Sequence, residues 1–162
     1  DGTVYQIHAQ VSPFLEKMLA DARSQGLDLR ITSAYRSFAT QASIKAVNET
    51  KFGTTKANTF SADQGYSEHQ LGTTLDFATS KTGASFAKFG DTAEYTWLTN
   101  NAYRYGFILS YPKGNSYYVY EPWHWRFVGV DLATRLHNEG RNFYDVDQKT
   151  IDGYLVDMFE VR

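Results

Sequence analysis

The chain predicts an α+β domain: an antiparallel sheet with helices packed mainly around it. Three observations lead there. Apolar residues recur at helical spacing in segments bounded by capping residues. In other segments apolar and polar residues alternate, the mark of a strand buried on one face. Two of those alternating runs flank the turn-forming sequence Pro112-Lys113-Gly114-Asn115, which sets neighbouring strands antiparallel.

Taken in order, the first eight residues read as an irregular lead-in. Ser12-Pro13 reads as an N-cap followed by proline at the first helical position. Phe14, Leu15, Met18, Leu19 and Ala22 mark the buried face of the helix, which Gly26 ends. Leu27, Leu29 and Ile31 alternate with Asp28, Arg30 and Thr32, a strand that delivers Ser33-Ala34-Tyr35-Arg36-Ser37 at its end. A second helix runs from Phe38 to about Thr50, with Gln41 in its first turns. Residues 51–66, polar and small, form a long loop of the kind that more often serves function than connection. Thr73 to Ala78 reads as a strand and Thr79 to Gly90 as a loop. Asp91 with Glu94 suggests a capping box for a helix through Tyr105, closed by Gly106. Phe107–Tyr111, Tyr117–Tyr120 and Trp123–Val128 read as strands, and helices at about 130–139 and 147–159 finish the chain. With no repeat, low-complexity tract or linker, residues 1–162 are expected to form a single domain.

Composition narrows the function. A net charge of −2 without runs of like charge gives no footprint for nucleic acid or an anionic membrane surface. No stretch is long enough to span a bilayer, and no export signal is visible. The chain has no cysteine, so any metal site must use histidine and carboxylate ligands. Absence of cysteine also fits an exported bacterial enzyme. Aromatic residues make up 16% of the chain, enough to pack a core and line a cleft.

Two segments about fifty residues apart carry the chemistry. Ser67-Glu68-His69-Gln70-Leu71-Gly72-Thr73-Thr74-Leu75-Asp76 supplies an imidazole and a carboxylate seven residues on. Glu121-Pro122-Trp123-His124-Trp125-Arg126 supplies a carboxylate three residues before a second imidazole. Together they make the inventory of a hydrolytic zinc site: three protein ligands, an open position for water, and a free carboxylate to accept a proton. Gly72 lets the chain turn tightly between His69 and Asp76. Pro122 bends the second segment, so Glu121 can lie outside the regular strand. Beyond it, Trp123, Trp125 and Phe127 share one face, the core side, while His124, Arg126 and Val128 share the other. Alone, each residue also fits a structural role, and only the joint pattern points to a metal. His8 and His137 lack such company and read as surface or structural residues.

These residues resemble a known family. Ser33-Ala34-Tyr35-Arg36-Ser37, Gln41, Gly65-Tyr66-Ser67-Glu68-His69-Gln70-Leu71-Gly72 with Asp76, Tyr105-Gly106-Phe107-Ile108, Tyr111-Pro112 and Tyr120-Glu121-Pro122-Trp123-His124-Trp125-Arg126 look like the VanY-type D-alanyl-D-alanine carboxypeptidases, zinc peptidases of bacterial peptidoglycan with L,D-carboxypeptidase relatives. The resemblance spans roughly residues 27–140. It implies an α+β fold related to the zinc domain of hedgehog proteins, with Zn²⁺ held by His69, Asp76 and His124 and with Glu121 as catalytic base. It further implies that Arg36 binds or polarises the substrate carbonyl, and that Gln41, Ser67, Tyr111 and Trp97 line the pocket for the terminal residue. Trp97 also shares a helix face with Leu98 and Ala102, which fits core packing. Ser110, standing where many members carry a basic residue, and Gly114-Asn115-Ser116 depart from the family pattern and are expected near the substrate rim.

The activity so implied is removal of the last D-Ala from a peptidoglycan stem peptide by a monomeric, extracytoplasmic enzyme. Alternatives are L,D-carboxypeptidase action on the tetrapeptide stem, a phage-type endopeptidase, and a zinc-stabilised binding module without activity. Against the last, a structural zinc site needs neither Glu121 nor Arg36.

Overall fold

The computed structural model describes residues 3–83 and 85–159. In chain order the elements are α1 (Ser12–Ser24), β1 (Arg30–Ser33), α2 (Phe38–Phe52), α3 (Thr54–Ala57), β2 (Thr74–Ala78), α4 (Ala93–Asn101), β3 (Phe107–Leu109), β4 (His124–Phe127), α5 (Val130–Glu139) and α6 (Gln148–Leu155). Short 3₁₀ turns cover Glu68–Leu71, Phe86–Asp91, Ala102–Tyr105 and Phe143–Asp145. The strands form one antiparallel sheet in the order β1-β2-β4-β3, so the α+β expectation holds.

Register and pleat decide the two faces of this sheet. Asp76 pairs with His124 and Thr74 with Arg126, and Leu75 pairs with Trp125, which also faces Leu109. Side chains directly opposite in an antiparallel pair project from the same face. Leu75, Phe77, Phe107, Trp125 and Phe127 therefore point together into the main core, where they meet Phe14, Leu15, Met18 and Ala22 of α1 and Trp97 and Leu98 of α4. Burying each large apolar side chain contributes on the order of 1.5–3 kcal/mol, and this layer anchors the centre of the sheet. Asp76 and His124 stand on the opposite face. All five residues of β2 are buried, because both of its faces are covered. A second cluster, Val128, Leu132, Ala133, Leu136, Phe143 and Ile151, packs α5 and α6 alongside Ile108.

Local chemistry departs from the sequence reading at several boundaries. Ser12 is the first helical residue rather than the cap, and its hydroxyl donates to Glu16 Oε1 (2.8 Å). The first strand starts later than Leu27, although Leu27, Leu29 and Ile31 still pack on the core. The expected loop at 51–66 holds the end of α2 and the single-turn α3. Helix α4 is capped by Thr92, whose hydroxyl accepts from the Tyr95 N–H, while Glu94 reaches across to accept from the Asp28 N–H. Tyr117–Tyr120 is not a strand. The side chain of Asn115 accepts from the N–H groups of both Tyr117 and Tyr118, and Val119 N–H donates to Thr59 O, which diverts the donors a ladder would need. The final helix ends at Leu155 rather than 159.

Candidate metal centre and active site

Four pieces of backbone converge on the polar face of the sheet. The β2–β4 register sets Asp76 against His124. The 3₁₀ turn Glu68–Leu71 carries His69 and closes at Gly72, which adopts φ +69°, the left-handed region where a Cβ is strained; a Cβ there would also lie 3.3 Å from His8 N. The β1–β2 pairing slips between Ile31 and Ser33, so that Ser33 faces Asp76, and Arg36 follows three residues on. Glu121 precedes the bend at Pro122; its N–H donates to Tyr111 O, and its own carbonyl accepts from His124 N–H.

The side chains meet closely. His69 Nε2 lies 3.3 Å, and His124 Nδ1 3.2 Å, from Asp76 Oδ1. One ligand atom from each of the three residues falls within 4.8 Å of the others, and all three residues are buried. A tetrahedral zinc with bonds of about 2.1 Å places its ligands roughly 3.4 Å apart, close to the two measured contacts. Glu121 Oε2 lies 3.6 Å from His124 Nδ1.

The orientation of each ring fits a metal. His69 Nδ1 is 2.7 Å from Ala34 O, so that nitrogen carries the proton and Nε2 keeps a lone pair. His124 Nε2 is 2.7 Å from Glu68 Oε2, which leaves Nδ1 as the inward nitrogen. Asp76 Oδ1 is buried and has no hydrogen bond, an orphaned acceptor beside two imidazole nitrogens. With both rings neutral, the three atoms make a ligand set that could hold a metal cation. Asp76 Oδ2 is held separately by Arg36 Nη2 (2.8 Å), and the same guanidinium donates to Ser33 Oγ.

Without a metal, electrostatics assigns the missing positive charge to His124. Burial would lower the pKa of His124, but the Asp76 and Glu68 carboxylates on either side outweigh it and raise it to about 10. Burial, with the neighbouring charges of His124 and Arg36, keeps His69 below its ordinary value. Burial opposes ionisation of Asp76, yet His69 and His124 hold its carboxyl well below the usual range. Glu121 behaves differently: burial, with Asp76 and Glu68 nearby, pushes it up to about 7.

Glu68 joins this cluster, although the sequence reading did not single it out. It is buried (5% exposed) and accepts from His124 Nε2, Ser110 Oγ (2.8 Å), Arg126 Nη1 (2.9 Å) and Tyr144 Oη (2.6 Å). Burial would raise its pKa, but His124, Arg126 and Tyr144 hold it well below the carboxylate range. A carboxylate behind a ligating imidazole fixes the tautomer and increases ligand basicity. Ser110 therefore sits behind His124, 1% exposed, and not at the substrate rim as expected.

The His69–Asp76–His124 cluster opens into a cavity of about 750 Å³, lined by Arg36, Gln41, Ser67, Tyr111, Tyr118 and Glu121 among others. Tyr111 packs against His124, ring centroids 4.9 Å apart. Gln41 Nε2 is already committed to Ala62 O (2.8 Å). Trp97 does not reach the cavity. It lies in the main core, its indole N–H donates to Gln25 Oε1 (3.1 Å), and it stacks on Tyr105. His8 stacks on Phe159 and His137 on Tyr103, both away from the ligands.

Comparison with known proteins places this geometry in context. The family model described as VanY, D-alanyl-D-alanine carboxypeptidase, matches residues 5–130. A D-alanyl-D-alanine carboxypeptidase of Enterococcus faecalis (strain ATCC 700802 / V583) is 33% identical over 147 residues, covering 83% of this chain and 53% of that protein. Among solved structures, the LD-carboxypeptidase LdcB superposes with a TM-score of 0.80 at 31% identity, covering 96% of this chain and 72% of the other. A mutant of the vancomycin-resistance D,D-pentapeptidase VanY in complex with Zn(II) gives 0.76 at 28% identity, covering 96% and 86%. The chain spans about half the length of the first curated relatives it matches. Among the described residues, no helix is long and apolar enough to cross a membrane.

Proposed function

We propose that this chain, which belongs to the VanY family of D-alanyl-D-alanine carboxypeptidases, is a zinc-dependent carboxypeptidase that removes the terminal D-Ala of peptidoglycan stem peptides outside the cytoplasm. The observation that carries the reading is the buried, hydrogen-bond-free Asp76 Oδ1 between His69 Nε2 and His124 Nδ1. Both rings have their other nitrogen engaged, and Glu121 stands beside the cluster. His69, Asp76 and His124 would hold the ion. When bound, it supplies Lewis acidity toward a carbonyl oxygen and toward water.

The chain's own residues do the rest. Glu121, raised toward neutrality by burial, is poised to take a proton from the attacking water and return it to the departing amine. Arg36, fixed by Ser33 and Asp76 but still facing the cavity, places a permanent positive charge where the carbonyl oxygen gains negative charge. Ser67 brings a hydroxyl donor to the cavity for a terminal carboxylate, while Gln41 and Tyr111, whose hydroxyl is engaged with Tyr144, shape its wall. A grouping of three protein ligands, with a free carboxylate next to it, supports a catalytic rather than a purely structural site.

L,D-carboxypeptidase action is the second reading, favoured by the likeness to LdcB. Mass spectrometry of products from a mixture of penta- and tetrapeptide stems separates the two. Loss of one alanine from the pentapeptide alone supports the D,D reading, and loss from the tetrapeptide supports the L,D reading. Internal cleavage, or none by folded zinc-loaded protein, overturns both.

A further inference from the structure

Helix α2 buries a polar stripe where an apolar one would be expected. Gln41, Lys45 and Asn48 fall at i, i+4 and i+7, one face of the helix. Gln41 is 2% and Lys45 5% exposed. A buried lysine is rare unless its charge is fully matched. The ammonium donates to Asn58 Oδ1 and Ser61 O (2.7 Å), and Asp63 Oδ1, 3.1 Å away, pairs with its charge.

Every one of these partners belongs to a single six-residue segment. Gln41 Nε2 donates to Ala62 O, and Asn48 Nδ2 donates to Ser61 Oγ (3.2 Å) in the same stretch. The backbone N–H groups of Thr59, Phe60 and Ser61 bond only locally, to Lys56 O and Ala57 O. One further backbone tie, Val119 N–H to Thr59 O, joins the segment to the other side of the cavity. Phe60, Ser61 and Ala62 line the cavity that contains the metal ligands.

We infer that Lys45 is a positioning residue: its buried ammonium clamps residues 58–63 as the wall that sets the width of the substrate cavity. It touches neither the metal ligands nor Glu121, so its loss should be felt in substrate binding rather than in the chemical step. The effect on peptide turnover rests on the cavity receiving the substrate as proposed above; the effect on the wall itself does not.

The test pairs two readouts on Lys45→Met. Steady-state kinetics on a pentapeptide stem should show KM raised at least tenfold, kcat changed less than threefold and zinc affinity changed less than twofold. Hydrogen exchange should show the Phe60 and Ser61 amides at least tenfold less protected, with β2 and β4 unchanged. Should Lys45→Met fail to fold, Asn58→Ala removes one of the two hydrogen-bond acceptors and should move both readouts the same way, by about threefold. If the wild-type protein cleaves no peptide, the proposed function fails and the exchange result alone decides the clamp. Unchanged protection with unchanged KM, or joint loss of kcat and zinc affinity, overturns the proposal.

Discussion

Replacing Glu68 by Gln keeps the side chain's shape but removes its charge and half of its acceptor capacity. Glu68 Oε2 accepts from His124 Nε2 and Ser110, and Oε1 from Arg126 and Tyr144. A glutamine has one oxygen and one NH₂. With the oxygen toward His124, the NH₂ faces Arg126, which cannot accept; with the amide flipped, His124 loses its partner. Either way a buried or part-buried charged donor is left unpaired, at a cost of up to about 3–5 kcal/mol. For a chain of this length that lowers Tm by roughly 6–20 °C. Loss of the carboxylate behind His124 should also weaken metal affinity about 10–100-fold, or about 1.4–2.7 kcal/mol. The assay is thermal unfolding of the metal-free protein, paired with competition for zinc against a chromophoric chelator. A Tm within about 2 °C of wild type and zinc affinity within about twofold would refute the idea that Glu68 orients and charges the His124 side of the site.

Three further outcomes follow from the same geometry. Glu121→Gln should leave zinc stoichiometry at wild-type level while turnover falls about 10²–10⁴-fold; co-loss of zinc, read by metal analysis, would make Glu121 a ligand. His69→Ala, Asp76→Ala and His124→Ala should each lower zinc affinity sharply, and full retention in any one removes that residue from the ligand set. The metal-free protein should lose stability as pH climbs from about 6.5 toward 10, measured as Tm against pH in chelator. His124 is raised on folding, so its contribution is full below about pH 6.5 and fades as pH climbs toward its folded value of about 10. Glu68 and Asp76 are lowered, so theirs is present above the ordinary carboxylate range and lost as pH falls below it. A Tm that keeps rising from neutral to alkaline pH would contradict the charge assigned to His124.

Where the sequence was legible, the signal was local. Strand alternation from Trp123 onward separated the core side chains Trp125 and Phe127 from His124, and Pro122 marked the bend that frees Glu121. The grouping of His69, Asp76 and His124 followed from two short segments, because β2 and β4 are neighbours in matching register. Glu68 was not legible, since its four partners come from residues 110, 124, 126 and 144 and no spacing along the chain brings them together. The burial of Lys45 on α2 was hidden for the same reason: a lysine on a helix reads as solvent-facing until the segment it holds is seen. Tyr117–Tyr120 has strand composition, but Asn115 captures its donors. Trp97, implicated by resemblance, serves the core as its helix periodicity suggested.

The most direct measurement is release of D-Ala from a pentapeptide stem as zinc is titrated into metal-free protein. The account predicts no release before zinc is added, a rise that saturates at one zinc per chain, and no release from Glu121→Gln carrying the same zinc. Full activity in the stripped protein, or no release from a folded chain holding one zinc at His69, Asp76 and His124, would contradict it.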